Sequence, residues 1–130
     1  MTGEYGVLEV IDSASVFDLT DATLANIKRI VDSKNIKRLF FEAHWIYRHR
    51  LDEIRDYFKI PITFKTGVET FDNDFREKVL RKGATFTDYR QVKKYFDSPC
   101  VMVGIKGQTK EMIDRDMETV SYTHLTLPTT

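Results

Sequence analysis

The residues with chemical capacity in this chain cluster where apolar runs end. Asp12 and Ser13 follow the run Val7–Ile11, Glu42 and His44 close the run Leu39–His44, and Glu69 follows the run that begins at Ile62. A fourth run, Val101–Ile105, leads into Gly104-Ile105-Lys106-Gly107-Gln108-Thr109. Carboxylates, a histidine and small hydroxyls facing one crevice could bind a polar ligand such as a ribose or an amino acid. Arg81 lies twelve residues past Glu69, where a guanidinium could clamp a carboxylate. Each group also has a plainer role: Glu42 and Glu69 as solvated strand-end acids, His44 as a satisfied strand-end histidine, Arg81 as one charge beside Arg76, Lys78 and Lys82. Glu42 and Glu69 as acid and base of some other barrel enzyme is a further possibility.

Metal chemistry has little to build on. His44 and His49 do not share a spacing suited to one ion, and His124 lies in a compositionally odd tail. The single cysteine, Cys100, excludes an intrachain disulfide and a multi-cysteine metal or iron–sulfur site made by this chain alone. It follows Pro99 at the start of the fourth run, so a packing thiol is expected rather than a nucleophile. The Gly104–Thr109 segment is neither a P-loop nor a dinucleotide fingerprint. Its glycines suit a tight strand-to-helix turn whose amides could approach a ligand, Gly104 first among them.

Positioning these groups requires strands and helices in alternation. Thr20 can cap a helix with Leu24, Ile27 and Val31 on its buried stripe, and a second helix shows Tyr47, Leu51, Ile54 and Phe58 at helical spacing. Ile62 starts the third strand, Gly67 allows a close backbone approach, and Asp72 is placed to cap a helix with Phe75 and Val79 on one side and Gly83 as its left-handed end. Thr87 or Asp88 caps a helix with Val92 and Phe96, and a last helix carries Ile113, Met117 and Val120. Strand and helix repeated with short connections predict right-handed (βα) units and a parallel sheet, an α/β fold. In the second strand, alternation puts Phe40, Glu42 and His44 on one face.

Composition narrows the class of partner. The 130 residues are 42% hydrophobic, and twenty basic residues balance twenty acidic ones, so no bulk field favours nucleic acid or an anionic membrane. No apolar run approaches a membrane span and the start lacks a signal-peptide pattern, so a cytoplasmic setting is expected. Residues 1–120 read as one domain. Residues 121–130 lack any Asp, Glu, Lys or Arg and resemble a translated sequencing-adapter read, so they are expected to be a non-native or disordered tail.

Taken in order, Gly67-Val68-Glu69-Thr70-Phe71-Asp72, a helix reaching Arg81, and Gly104-Ile105-Lys106-Gly107-Gln108-Thr109 resemble the central half of a radical S-adenosylmethionine (SAM) enzyme. The similarity is nearest to the oxygen-independent coproporphyrinogen oxidase branch, which carries Gly-Val-Gln-Ser-Phe and Gly-Leu-Pro-Gly-Gln-Thr at these places. It implies an incomplete TIM-like barrel, strands two to five of a partial (β/α)6 barrel, over about Val7 to Val120. It implies SAM contacts from Glu42, from Glu69 at the ribose, from Arg81 at the carboxylate, and from Asp12 and Ser13 near the amino group, with Gly104 in the last motif. Lys106 stands in place of a proline, Cys100 in place of an aspartate in some members, and Asp12-Ser13-Ala14-Ser15 in place of a glycine-rich motif. The family's Cys-x3-Cys-x2-Cys loop, which holds a [4Fe–4S] cluster, is absent from the sequence. The expectation is a fragment of an enzyme that makes a 5′-deoxyadenosyl radical, inactive as given. The alternative is a non-catalytic α/β module that binds a ligand or partner.

Overall fold

The computed structural model describes residues 5–11 and 15–125, with side chains to residue 121. Its elements alternate as the apolar runs predict: β1 (Val7–Glu9), α1 (Asp21–Ser33), β2 (Arg38–Glu42), α2 (Leu51–Phe58), β3 (Ile62–Glu69), a π-helical turn (Phe75–Val79), α3 (Tyr89–Tyr95), β4 (Ser98–Val101) and α4 (Lys110–Leu125). The four strands form one sheet in the order β1-β2-β3-β4, every pair parallel. No helix among the described residues is long and apolar enough to cross a membrane.

One face of the sheet makes the core. Leu39 and Phe41 of β2 and Ile62, Phe64 and Val68 of β3 pack with Ile27 and Val31 of α1, Ile54 and Phe58 of α2, and Val92 and Phe96 around α3. Trp45 meets Phe86 and Tyr95 edge-on at 5.0 and 5.7 Å, closing the core beyond the end of β2. Because side chains alternate along a strand, the opposite face carries the other set, paired in register: Glu9 with Phe40, Phe40 with Thr63, Glu42 with Lys65, and Gly67 with Cys100. This second face is polar. Arg38 donates to Thr63 Oγ1 at 3.1 Å, and Lys65 pairs with Glu9.

Several local expectations are corrected. The fourth strand begins at Ser98, because Asp97 locks onto Phe64 by both its amide and its carboxylate, each at 2.9 Å. The run past Val101 is instead exposed turn, broken by Gly104 at φ 85°. The first two strands stop at Glu9 and Glu42, so His44 lies outside β2 and does not share a strand face with Phe40 and Glu42. Tyr47 belongs to a short 3-10 turn, Trp45–Tyr47, ahead of α2, and stacks on Phe17 with ring centroids 4.6 Å apart.

The segment after β3 departs further. Asp72 does cap it, accepting the Phe75 amide at 2.9 Å, but the turn that follows closes from Leu80 N–H to Phe75 O at 3.1 Å, five residues apart. That wider spacing buries Phe75 and Arg76 and leaves Val79 59% exposed, where α-helical spacing would have put it beside Phe75. The left-handed end comes at Arg81 (φ 52°), two residues before Gly83, which is also left-handed at φ 72°. In α4 the inward positions are Met112 and Asp116, while Met117 is exposed. Asp116 accepts the Phe71 amide at 2.8 Å, so a buried polar anchor sets the phase of this helix. The helix runs to Leu125; residues 126–130, the rest of the segment expected to be a tail, lie outside the described part.

Candidate functional site

The carboxyl ends of β2 and β3 bring two of the expected groups together over a glycine. A Cβ on Gly67 would lie 2.6 Å from Glu69 Oε1, 3.5 Å from Lys82 Nζ and 3.6 Å from Glu42 Oε1. Gly67 is therefore a floor without a side chain, and the space above it is shared by two carboxylates and an ammonium. Lys82 Nζ stands 3.6 Å from Glu69 Oε1, with side-chain exposures of 20% and 24%, so the pair is largely shielded from water. Farther toward β1 the same face carries the Lys65–Glu9 pair, whose contact raises Lys65 above the usual lysine value.

Glu69 reaches this place through an unusual backbone. The β3–β4 ladder pairs Gly67 with Cys100 and Glu69 with Val101, so Val68 is an extra residue and the strand bulges there. Glu69 itself has φ 69°, and Thr70 N–H donates to Val68 O at 2.8 Å across it. A hydrogen bond spanning one residue of positive φ is the rare, strained form of γ-turn. The Glu69 carbonyl accepts the Met102 amide at 2.8 Å, which ties the turn to the end of β4.

His44 stands behind the rim. Its Nδ1 accepts the Ile46 amide at 3.1 Å, capping the Trp45–Tyr47 turn. Partial burial, then the neighbouring Lys82 charge, lowers it below the ordinary histidine value, which suits an uncharged capping nitrogen. Cys100 is exposed on the polar face beside Gly67, which corrects the expectation of a packing thiol at the far end of its strand. Partial desolvation, then the nearby Glu42 charge, raises its thiol above the usual value, the opposite of the lowering that activates a thiolate.

The remaining sequence candidates fall elsewhere. Asp12 and Ser13 lie outside the described residues. Arg81 is exposed, past the end of the π turn rather than on a helix, and it is the next residue, Lys82, that meets Glu69. The Gly104 and Ile105 amides, candidates to approach a ligand, both donate to Gln108 Oε1, at 3.0 and 3.1 Å. Gln108 in turn sits 3.4 Å from the buried Asp116. Lys82 went unmarked in the sequence because its place depends on the phase of the π turn.

The chemistry available is that of hydroxyl and ammonium recognition. Two carboxylates and one ammonium leave the rim with one net negative charge, and ionised carboxylates only accept hydrogen bonds. These residues fit the hydroxyl-bearing ribose and the cationic groups of SAM. They do not fit an iron–sulfur cluster: the sequence holds one cysteine, and among the described residues no group of three or more His, Cys, Asp or Glu is placed to hold a metal.

Comparison with known proteins gives a consistent picture. No family model matches the chain. An uncharacterized protein of Methanocaldococcus jannaschii is 32% identical over 60 residues, 45% of this chain and 16% of that protein. A queuine lyase from Clostridium spiroforme, solved bound to SAM and queuine, matches with a TM-score of 0.85 and 50% identity over 93% of this chain and 53% of that one. The chain thus spans about half the length of the structure it matches. That match gives no support to the coproporphyrinogen oxidase-like branch. The parallel α/β arrangement is one shared with a SAM-binding enzyme, and it matches the partial radical SAM barrel that the two motifs implied.

Proposed function

We propose that this chain is the SAM-binding part of a radical SAM enzyme of the queuine lyase kind. The observation that carries the reading is the convergence of Glu42 and Glu69 over Gly67 at the carboxyl ends of β2 and β3. It is supported by half-identity to a protein bound to SAM and queuine. In such sheets ligands sit at the strands' carboxyl ends. Glu69 would accept from the ribose hydroxyls, Glu42 would face the cationic part, and Arg81 and Asp12-Ser13 remain candidates for the carboxylate and amino group. Gly104 would act by shaping the turn after β4 rather than by donating its amide, which Gln108 takes.

A cluster, when held by residues outside this sequence, supplies the electron for SAM cleavage; this chain alone, with one cysteine, is expected not to release methionine from SAM under reducing conditions. The substrate would be a small molecule, with queuine the first to try.

Isothermal titration of the purified chain with SAM tests the assignment. Binding that weakens about tenfold or more in Glu42→Gln and Glu69→Gln, with an unchanged circular dichroism spectrum, is the expected result. No SAM binding by the wild-type chain, or binding indifferent to both substitutions, refutes it. The single cysteine favours one competing reading, a non-catalytic ligand-binding module. Selective binding of some other hydroxylated ligand by the same carboxylates, without SAM, would decide for it.

A further inference from the structure

Among the described residues, a densely paired polar network lies not at the rim but one layer behind it. Arg76 is 1% exposed, yet each nitrogen of its guanidinium is engaged. It donates to Thr70 O at 3.0 Å, Phe86 O at 2.7 Å, Asn73 Oδ1 at 2.8 Å and Glu77 Oε2 at 2.6 Å, and it lies 4.0 Å above the Phe86 ring. An arginine this deep is tolerated only with such complete pairing. Glu77 also engages the chain beyond the turn, its Oε1 accepting the Gly83 and Ala84 amides at 2.8 and 3.0 Å. The Lys82 amide donates to Arg76 O at 3.1 Å. The backbone of residues 82–84 is therefore held at each successive residue, and Lys82 projects from it to Glu69 and the Gly67 floor.

We propose that Arg76, Glu77 and Lys82 are positioning residues for Glu69: buried Arg76 and its partly exposed partner Glu77 fix the 82–84 turn, and Lys82, delivered by that turn, holds the Glu69 carboxylate over Gly67 beside Glu42. Two features call for such a hold. Glu69 sits in a backbone conformation that side-chain-bearing residues seldom adopt, and its carboxylate shares a small space with a second one. The Lys82 ammonium stands 3.6 Å from Glu69 Oε1, on the same floor that Glu42 approaches. The proposal rests on the reading that Glu69 faces the ligand, but its physical core is independent of which ligand that is.

The test uses the 15N-labelled chain without ligand, then SAM as the probe. Lys82→Met and Glu77→Ala are expected to move the Gly67 and Glu69 amide resonances in the same direction, and Lys82→Arg to return them toward wild type. Exchange at the Gly83 and Ala84 amides should accelerate about tenfold or more in Glu77→Ala and stay near wild type in Lys82→Met. With SAM, Lys82→Met is expected to bind about tenfold more weakly, and Glu69→Gln/Lys82→Met no more weakly than Glu69→Gln alone, the mark of residues acting through one group. Unmoved Gly67 and Glu69 resonances in Glu77→Ala, or losses that multiply in the double variant, overturn the proposal. If Glu77→Ala does not fold, Glu77→Gln replaces it; it keeps an acceptor for both amides, loses the ion pair, and should move the same resonances by less, with no movement counting against the relay. Failure of the wild type to take up SAM would sink the ligand assignment, while the resonance and exchange results still decide the relay.

Discussion

Replacing Glu69 by glycine and by alanine separates the backbone of this site from its charge. Both substitutions remove the carboxylate and the contact to Lys82 at 3.6 Å, so that loss cancels between them. What differs is the cost of φ 69°. A residue with a Cβ in the left-handed region is disfavoured by roughly 1–2 kcal/mol, and glycine is free of that penalty. Glycine also loses more freedom on folding, roughly 0.5–1 kcal/mol relative to alanine. The difference leaves Glu69→Gly about 0.5–1 kcal/mol more stable than Glu69→Ala, a rise in melting temperature of roughly 2–5 °C for a domain of this size. Urea unfolding of the two variants, read by circular dichroism, measures it, and both should bind SAM equally poorly. An alanine variant as stable as the glycine variant would refute the claim that Glu69 is held against a backbone preference.

Three more expectations follow from the same geometry. Gly67→Ala places a methyl 2.6 Å from the Glu69 carboxylate oxygen, the end of a side chain that can swing aside, so stability should change by less than about 1 kcal/mol while SAM affinity falls about tenfold; titration and unfolding on one sample check both. Arg76→Met leaves the Thr70 and Phe86 carbonyls without this donor and takes the partner from Glu77 Oε2, and is expected to cost about 3 kcal/mol or more in urea unfolding; a loss under about 1 kcal/mol would contradict the network. His44 is lowered in the folded chain, so the unfolded chain takes up its proton first as pH falls. Its stabilising share is full above about pH 6.5 and is lost as pH drops through the lower folded value. Urea midpoints measured across that range should slope less in His44→Asn, which keeps a capping acceptor, and an unchanged slope would exclude His44 as the cause.

The order of elements was legible because each strand except β4 coincides with an apolar run, and α1 and α3 each begin at a short polar cap, Thr20 and Asp88. Glu42 and Glu69 could be marked because a strand end is a position that sequence alone specifies. What escaped were features set by distant partners. The start of β4 depends on Asp97 meeting Phe64, and the phase of α4 depends on Asp116 meeting Phe71. Lys82 escaped for a third reason: helical counting from Asp72 assumes four-residue spacing, and the chain there closes on the fifth residue. Arg81, an equally basic neighbour, drew the functional assignment instead.

That fifth-residue closure makes the position of a deletion, over one short stretch, matter more than the identity of the residue lost. Each residue of an α-helix turns the chain by about 100°. Deleting the solvent-facing Val79 would put Leu80 four residues from Phe75, so the same Leu80-to-Phe75 bond would close an ordinary α turn and the chain beyond Leu80 would stay nearly in place. The lysine would keep its place, whereas deleting Arg81, beyond the turn that can absorb the loss, would carry it away from Glu69.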